Sequence, residues 1–283
     1  MGLSAPSISS VKVRNGADPL VMVTAYDAPG ARIASAAGAD IILVGDSVAM
    51  VVLGYDDTLQ VTVDDMVHHI AAVARAKPNC HIVGDLPWMS YHVSPEDTVR
   101  NAAALMRAGA HSVKLEGGRK RLPMIEKIID AEIPVMGHIG LTPQSVHAMG
   151  GFKVQGRQAE QARKLVQAAK SLEHAGCYAL VLEGVPVRVA QAVTEAVSIP
   201  TIGIGAGPHT DGQVLVYHDL LGLEDRMIPK FVRRYADLNS ASVEAIQAFA
   251  SDVRSGAFPD ECESYHMADD QAAELLGLYG HTD

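Results

Sequence analysis

The chain has 283 residues, of which 48% are hydrophobic but only 5% aromatic, and it carries a formal net charge of −10. That length is ordinary for a single α/β barrel of about 250 residues, and a core made of Val, Ile, Leu, Ala and Met suits helices on a parallel sheet better than an aromatic-rich β-sandwich. The negative balance argues against nucleic acid as a partner. No apolar run approaches the roughly 20 residues of a membrane span, so no membrane partner is expected.

In chain order, residues 1–19 form a polar leader without the apolar stretch of a signal peptide. The chain begins Met-Gly, but Pro6 stands where a myristoylation motif wants Ser or Thr. The three cysteines, Cys80, Cys177 and Cys262, are too widely spaced for a disulfide framework or a zinc motif and point to a reducing, cytoplasmic location.

One pattern then repeats. Short β-branched runs alternate with Ala-rich stretches of helical period: VMVTAYD from 21, IILVGDS from 41, HIVGDLP from 81, SVKLEGG from 112, IPVMGHIG from 133, ALVLEGV from 179, IPTIGIGAG from 199 and QVLVYHD from 213. Each of the first seven leads through a Gly, Pro or acidic cluster into helix-like sequence. Such alternation predicts parallel strands joined by helical crossovers, and eight of them favour a closed (β/α)₈ barrel over a doubly wound sheet. The eighth run is short and reads equally as the start of a helix.

Helix boundaries follow from local chemistry. Ser94-Pro95-Glu96-Asp97 supplies a cap, a proline for the first turn and acids at the positive end of the dipole; Thr142-Pro143 repeats that start. Gly109 and Gly176 stand where helices should stop. Beyond about residue 225 the strand pattern ends. Residues 242–254 read as an amphipathic helix packed outside the barrel, and residues 260–283 as an acidic, mobile tail. No linker divides the chain, so one barrel domain over residues 1–283 is expected, with a helical extension at its C-terminal end.

In a barrel of this type the active site lies at the C-terminal ends of the strands. Those ends carry Asp46, Asp85, Lys114 with Glu116, His138 and Glu183, followed by the glycine turn GIGAG at 203–207. In SVKLEGG, alternation puts Lys114 and Glu116 on one face and Val113 and Leu115 on the other. The outer face must meet apolar helices, so the charged pair should point into the barrel mouth. Charges there must pair with one another, hold a cation, or both. A single acid at a strand end reads as well as a helix cap or salt-bridge partner; four on one rim suggest a hard divalent ion with oxygen ligands. Asp46 and Asp85 are the better direct ligands, and Glu116 binds directly or through water. His138 either contacts substrate or orients a loop. His68 and His69 fall within a helical pattern and read as structural or surface residues. GIGAG could cradle a phosphate, and GGFKVQGR (150–157) could serve as lid, anion contact or plain connector.

Laid out in order, TAYD (24–27), VGDS (44–47), GDLP (84–87), VKLEGG (113–118), GHIGLTPQS (137–145), GGFKVQGR (150–157), LEGVP (182–186), IGIGAG (202–207), TDGQVLV (210–216) and PKF (229–231) make the chain resemble the ketopantoate hydroxymethyltransferase family, from about residue 10 to His266. The resemblance implies a barrel like those of the phosphoenolpyruvate mutase and isocitrate lyase group. It further implies transfer of a hydroxymethyl group from 5,10-methylenetetrahydrofolate to 3-methyl-2-oxobutanoate, one Mg²⁺ per subunit, and a homodecamer. By the same resemblance Asp46, Asp85 and Glu116 match the metal-associated acids, while Ser47, Lys114, Asp46 and Asp85 match contacts to the ketoacid. Glu183 matches the general base. Two other readings stand beside it: a lyase or mutase of the related barrels, which a cysteine-bearing catalytic loop would favour, and a non-catalytic ketoacid or folate sensor, which requires the loss of a reacting group.

Overall fold

The computed structural model describes residues 18–224 and 228–279, so the expected polar leader lies outside the described residues except for Asp18 and Pro19. Eight strands occur where the β-branched runs stand: β1 (Leu20–Thr24), β2 (Ile41–Val44), β3 (His81–Asp85), β4 (Ser112–Glu116), β5 (Val135–Gly140), β6 (Ala179–Glu183), β7 (Thr201–Ile204) and β8 (Gly212–Leu215). Every neighbouring pair is parallel, and β8 pairs with both β7 and β1 to close the barrel.

The first six crossovers are helical, with main helices Ala28–Ala36, Val63–Arg75, Pro95–Arg107, Leu122–Asp130, Ala159–His174 and Val187–Ala196. The seventh departs from expectation: residues 205–211 carry no helix. The Asp211 carboxylate accepts from the Thr201 backbone N–H at 2.8 Å and its hydroxyl at 2.9 Å, lashing the short connection to the start of β7. The eighth run fits both of its readings, being strand to Leu215 and helix over Tyr217–Leu221.

Ser94 caps its helix as expected, its hydroxyl accepting from the Asp97 N–H at 3.1 Å with Pro95 in the first turn. Thr142 does not. Only a 3₁₀ turn (Pro143–Ser145) and one short helical turn (Val146–Met149) follow it, and its hydroxyl caps no backbone group. The Gln144 N–H, which such a cap would accept, donates instead to Glu116 Oε2 at 3.0 Å.

Side-chain alternation divides the apolar residues into two regions. Inside the barrel, Met22, Ile41, Leu43, Val83, Met136, Val181, Ile202 and Val214 pack together. Between sheet and helices the alternate positions, including Ile42, Val44, Val113, Leu115 and Leu182, meet helix residues such as Ile70, Leu105, Ile125 and Leu172. Burial of each large aliphatic side chain contributes about 1.5–3 kcal/mol, and the outer shell is the larger of the two. The strands are thereby held rigidly at the end that carries the site.

The chain divides into two compact units, the first running to Tyr235 and the second from Ala236. The second contains the helix Leu238–Ser255, which begins at Asp237 with a side-chain cap and ends at the left-handed Gly256. It also contains the helix Asp269–Tyr279, within the stretch expected to be a polar tail.

At the N-terminal end of the barrel the interior is polar. His81 Nε2 lies 2.9 Å from Ser112 Oγ, which is 2.8 Å from the Tyr178 hydroxyl. Next to them the Ile82 N–H donates to His111 Nδ1 at 3.0 Å, which requires an unprotonated Nδ1, and burial lowers the pKa of His111. The unfolded chain therefore takes up this proton first on acidification. The His111 contribution is intact above the unfolded value near 6.5 and is lost as pH falls below it. In urea titrations between pH 7.5 and 5.5, His111→Gln, which keeps an acceptor but cannot titrate, should show a shallower loss of midpoint than the parent chain.

Candidate active site

The barrel mouth assembles its charge from successive strands. Asp46 lies two residues past β2, Asp85 ends β3, Lys114 and Glu116 lie in β4, His138 lies in β5 and Glu183 ends β6. The register sets Asp85 opposite Lys114, Glu116 opposite His138, and Gly140 opposite Glu183. Lys114 and Glu116 face the interior, as alternation requires, while Val113 and Leu115 join the helix-side core.

These groups are almost completely buried: Asp85 is 1% exposed, Lys114 3%, Glu116 4% and Asp46 5%. Lys114 Nζ lies 2.9 Å from Asp85 Oδ1, a fully buried ion pair. Asp85 Oδ2 accepts from the Asp46 N–H at 3.2 Å, joining the ends of β2 and β3. One ammonium faces three carboxylates. Burial opposes its charge, but Asp85, Glu116 and Asp46 outweigh burial and raise the Lys114 pKa. The acids respond in the opposite sense. Burial raises Asp85 to about 7 against the pull of Lys114, and burial with the Asp46 charge holds Glu116 well above the usual carboxylate range. Excess buried negative charge must take up protons or a cation.

A divalent cation fits this donor set. The oxygens are hard and the excess of buried negative charge has the right sign. Among the described residues no three His, Cys, Asp or Glu side chains are gathered closely enough to form a metal cage. One or two carboxylates with water and substrate oxygens completing the shell is the arrangement Mg²⁺ commonly accepts.

His138 links the charged group to Glu183. Lys114 Nζ approaches His138 Nδ1 at 3.4 Å. Because an ammonium only donates, Nδ1 accepts and the ring proton sits on Nε2. Burial first, then Lys114, lowers the His138 pKa, which keeps the ring neutral. Nε2 stands 3.3 Å from Glu183 Oε2 without the alignment of a hydrogen bond. The Glu183 backbone is held closely as well. Its carbonyl accepts from the Leu141 N–H at 2.8 Å, and a Cβ at Gly140, whose φ is +102°, would stand 2.2 Å from that carbonyl oxygen. Only glycine allows β5 to turn there.

Ser47 follows Asp46 at the start of a single helical turn (Val48–Val51). Its hydroxyl is 2.8 Å from that of Tyr26. His69 is anchored in its helix, its Nδ1 lying 2.7 Å from the Tyr26 carbonyl, and so has the structural setting expected of it. In the GIGAG turn a Cβ at Gly205 would meet the Phe231 ring at 2.8 Å, so an aromatic side chain packs on one side of this turn. In GGFKVQGR the Gln155 N–H donates to the Gly184 carbonyl at 2.8 Å, pinning that loop beside Glu183. Tyr91 and Gln144 were not anticipated as site residues, yet both are buried against the acids. The one local signal was a glutamine in the turn directly after the strand that carries His138.

A sequence model described as ketopantoate hydroxymethyltransferase matches residues 5–261. The chain belongs to that family. A 3-methyl-2-oxobutanoate hydroxymethyltransferase of Ignicoccus hospitalis is 56% identical over 250 residues, covering 88% of this chain and 94% of its own length. The protein of the same name from Oleidesulfovibrio alaskensis is 52% identical over 268 residues, 94% of this chain and 93% of its own. Among solved structures, phosphoenolpyruvate phosphomutase from Streptomyces platensis superposes with a TM-score of 0.57 at 16% identity, covering 94% of this chain and 92% of that one. A 2,3-dimethylmalate lyase of the PEP mutase/isocitrate lyase superfamily does so at 0.56 and 18%, covering 93% and 91%. At those identities the likeness is one of fold.

The imbalance of charge leads to a stability test. Lys114→Met should destabilise the protein by about 3–5 kcal/mol, because it strands buried carboxylates. Chemical denaturation should show that deficit near neutral pH and a smaller one under mildly acidic conditions, where the carboxylates protonate.

Proposed function

We propose that this enzyme transfers a hydroxymethyl group from 5,10-methylenetetrahydrofolate to 3-methyl-2-oxobutanoate, giving 2-dehydropantoate in the first step of pantothenate biosynthesis, with one Mg²⁺ per subunit. The observation that carries this reading is the buried Lys114 among Asp85, Glu116 and Asp46, with Glu183 next to it across His138. The shared name of the relatives supplies the substrate class.

The chemical difficulty is removal of a weakly acidic proton from C3 of an α-ketoacid. Asp46 and Asp85 are the residues that would hold Mg²⁺, with Glu116 reaching it through water, and the ion when bound would polarise the keto group as a Lewis acid. Lys114 places a fixed positive charge where the substrate carboxylate or the developing oxyanion lies, in a buried setting where such a charge is worth more than in water. The Ser47 hydroxyl, positioned by Tyr26, and the carboxylates of Asp46 and Asp85 contact the ketoacid. Glu183 takes the C3 proton as general base. The neutral His138 stands between Lys114 and Glu183, with Nε2 3.3 Å from Glu183 Oε2. One water balances the transfer: hydrolysis of the two C–N bonds of the methylene bridge leaves tetrahydrofolate and frees its carbon at the formaldehyde oxidation level, and the carbon nucleophile adds to that carbon, whose oxygen takes a proton to complete the hydroxymethyl group.

A lyase or mutase reading gains nothing specific. Cys80 and Cys177 are buried at the N-terminal ends of β3 and β6, away from the mouth. A sensor reading requires a missing reacting group, and Asp46, Asp85, Lys114, Glu116 and Glu183 all lie within two residues of the C-terminal end of a strand. By family likeness the enzyme is proposed to work in the cytoplasm as a homodecamer. In the described residues no helix is long and apolar enough to cross a membrane.

Glu183→Gln should bind metal and ketoacid normally but lose roughly 10²–10⁴-fold in the rate of C3 deuterium exchange in D₂O; exchange at the parent rate would remove Glu183 from the role. Asp46→Ala and Asp85→Ala should instead weaken Mg²⁺ binding and ketoacid affinity together. Full turnover of the parent enzyme in excess chelator would refute the metal assignment.

A further inference from the structure

We propose that Gln144 is a positioning residue, its carboxamide locked by Tyr91 so that it sets the Asp46 and Glu116 carboxylates relative to one another. The proposal rests on the reading of those acids as the cation-holding group. Gln144 is 5% exposed and Tyr91 1%, and their hydrogen bonds span three strand ends. Gln144 Nε2 donates to Asp46 Oδ2 at 2.8 Å and to the Leu86 carbonyl at 3.0 Å. Its backbone N–H donates to Glu116 Oε2 at 3.0 Å. Its Oε1 accepts from the Tyr91 hydroxyl at 2.5 Å, and that hydroxyl accepts from the Glu116 N–H at 3.2 Å. One residue placed after β5 therefore touches the segments after β2 and β3 and the end of β4.

The orientation of the amide is dictated chemically. Turned over, Oε1 would face a carboxylate and a carbonyl, two acceptors with no proton between them. The Tyr91 hydroxyl has its lone pair engaged by the Glu116 N–H, so its proton points to Gln144 and holds the working orientation. The Arg121 guanidinium stands over the Tyr91 ring, 5.6 Å from its centroid. A residue needed only to fill space would avoid the desolvation of so many polar atoms, because an apolar side chain of similar volume carries no such cost. This arrangement instead directs one oxygen of Asp46 and one of Glu116 toward Gln144. The other Glu116 oxygen, Oε1, lies 3.7 Å from His138 Nδ1. Partners that orient ligating groups in this way typically contribute 10–100-fold to metal affinity.

The test is Mn²⁺ binding to the full-length protein, followed by electron paramagnetic resonance without ketoacid, with thermal denaturation run in parallel. Gln144→Met keeps the shape and the backbone bond to Glu116 but loses the side-chain donors to Asp46 and the Leu86 carbonyl, and should raise the Mn²⁺ dissociation constant about 10–100-fold. Tyr91→Phe removes the lock on the carboxamide together with the acceptor for the Glu116 N–H, and should raise it by roughly 2–10-fold. A purely structural role would lower the melting temperature while the folded protein bound Mn²⁺ as tightly as the parent, and that result in either variant overturns the proposal. If Gln144→Met does not fold, Tyr91→Phe decides by the same criterion. Parent protein that binds no Mn²⁺ would sink the metal reading and this inference together, whereas tight binding by parent and variants alike sinks the inference alone.

Discussion

Three carboxylates and one ammonium occupy the mouth of the barrel with almost no access to water, and the rest of the site is arranged around that imbalance. In water the group would cost little. Inside a ring of strands each uncompensated charge is expensive, so the site must take up protons or bind positive charge. Asp85 is pushed up to about 7 and Glu116 well above its usual range, burial being the first cause in each. The same stress would be relieved by any bound group that brings positive charge to these oxygens.

The scaffold meets this stress with rigidity. Lys114 and Glu116 project inward from β4 because Val113 and Leu115 are claimed by the helices outside. The chain after β5 then closes the site twice. Gly140 brings its own strand end against the Glu183 carbonyl, and Gln144 spends its backbone N–H on Glu116 when a helix cap would have taken it. The failed helix start at Thr142 and the ordered acids at the mouth therefore have one cause. Local helix geometry gives way where the backbone donor is worth more to a buried carboxylate.

The same barrel shape appears in a phosphomutase and a dimethylmalate lyase at 16–18% identity, so the architecture by itself does not select a reaction. What assigns this chain to its family is sequence: two relatives that share one name are 52% and 56% identical to it over most of its length.

Much of this was legible in one dimension. Alternating β-branched runs and helical periods determined eight parallel strands, because a strand buried on both faces must be apolar and each crossover needs an amphipathic helix. Period-two alternation likewise determined that Lys114 and Glu116 share the inner face, and strand-end position determined which acids belong to the site. The missing helix between β7 and β8 was not legible, because the lashing of Asp211 to Thr201 joins residues of separate elements. Nor were the neutral tautomer of His138, the pairing of Ser47 with Tyr26, or the parts played by Tyr91 and Gln144. Each depends on distances between side chains brought together from different strands, and local pattern carries no information about such distances. The sequence by itself determined which residues stand at the mouth; only closure of the barrel decided how they share protons, since that depends on burial and on neighbours far apart in the chain.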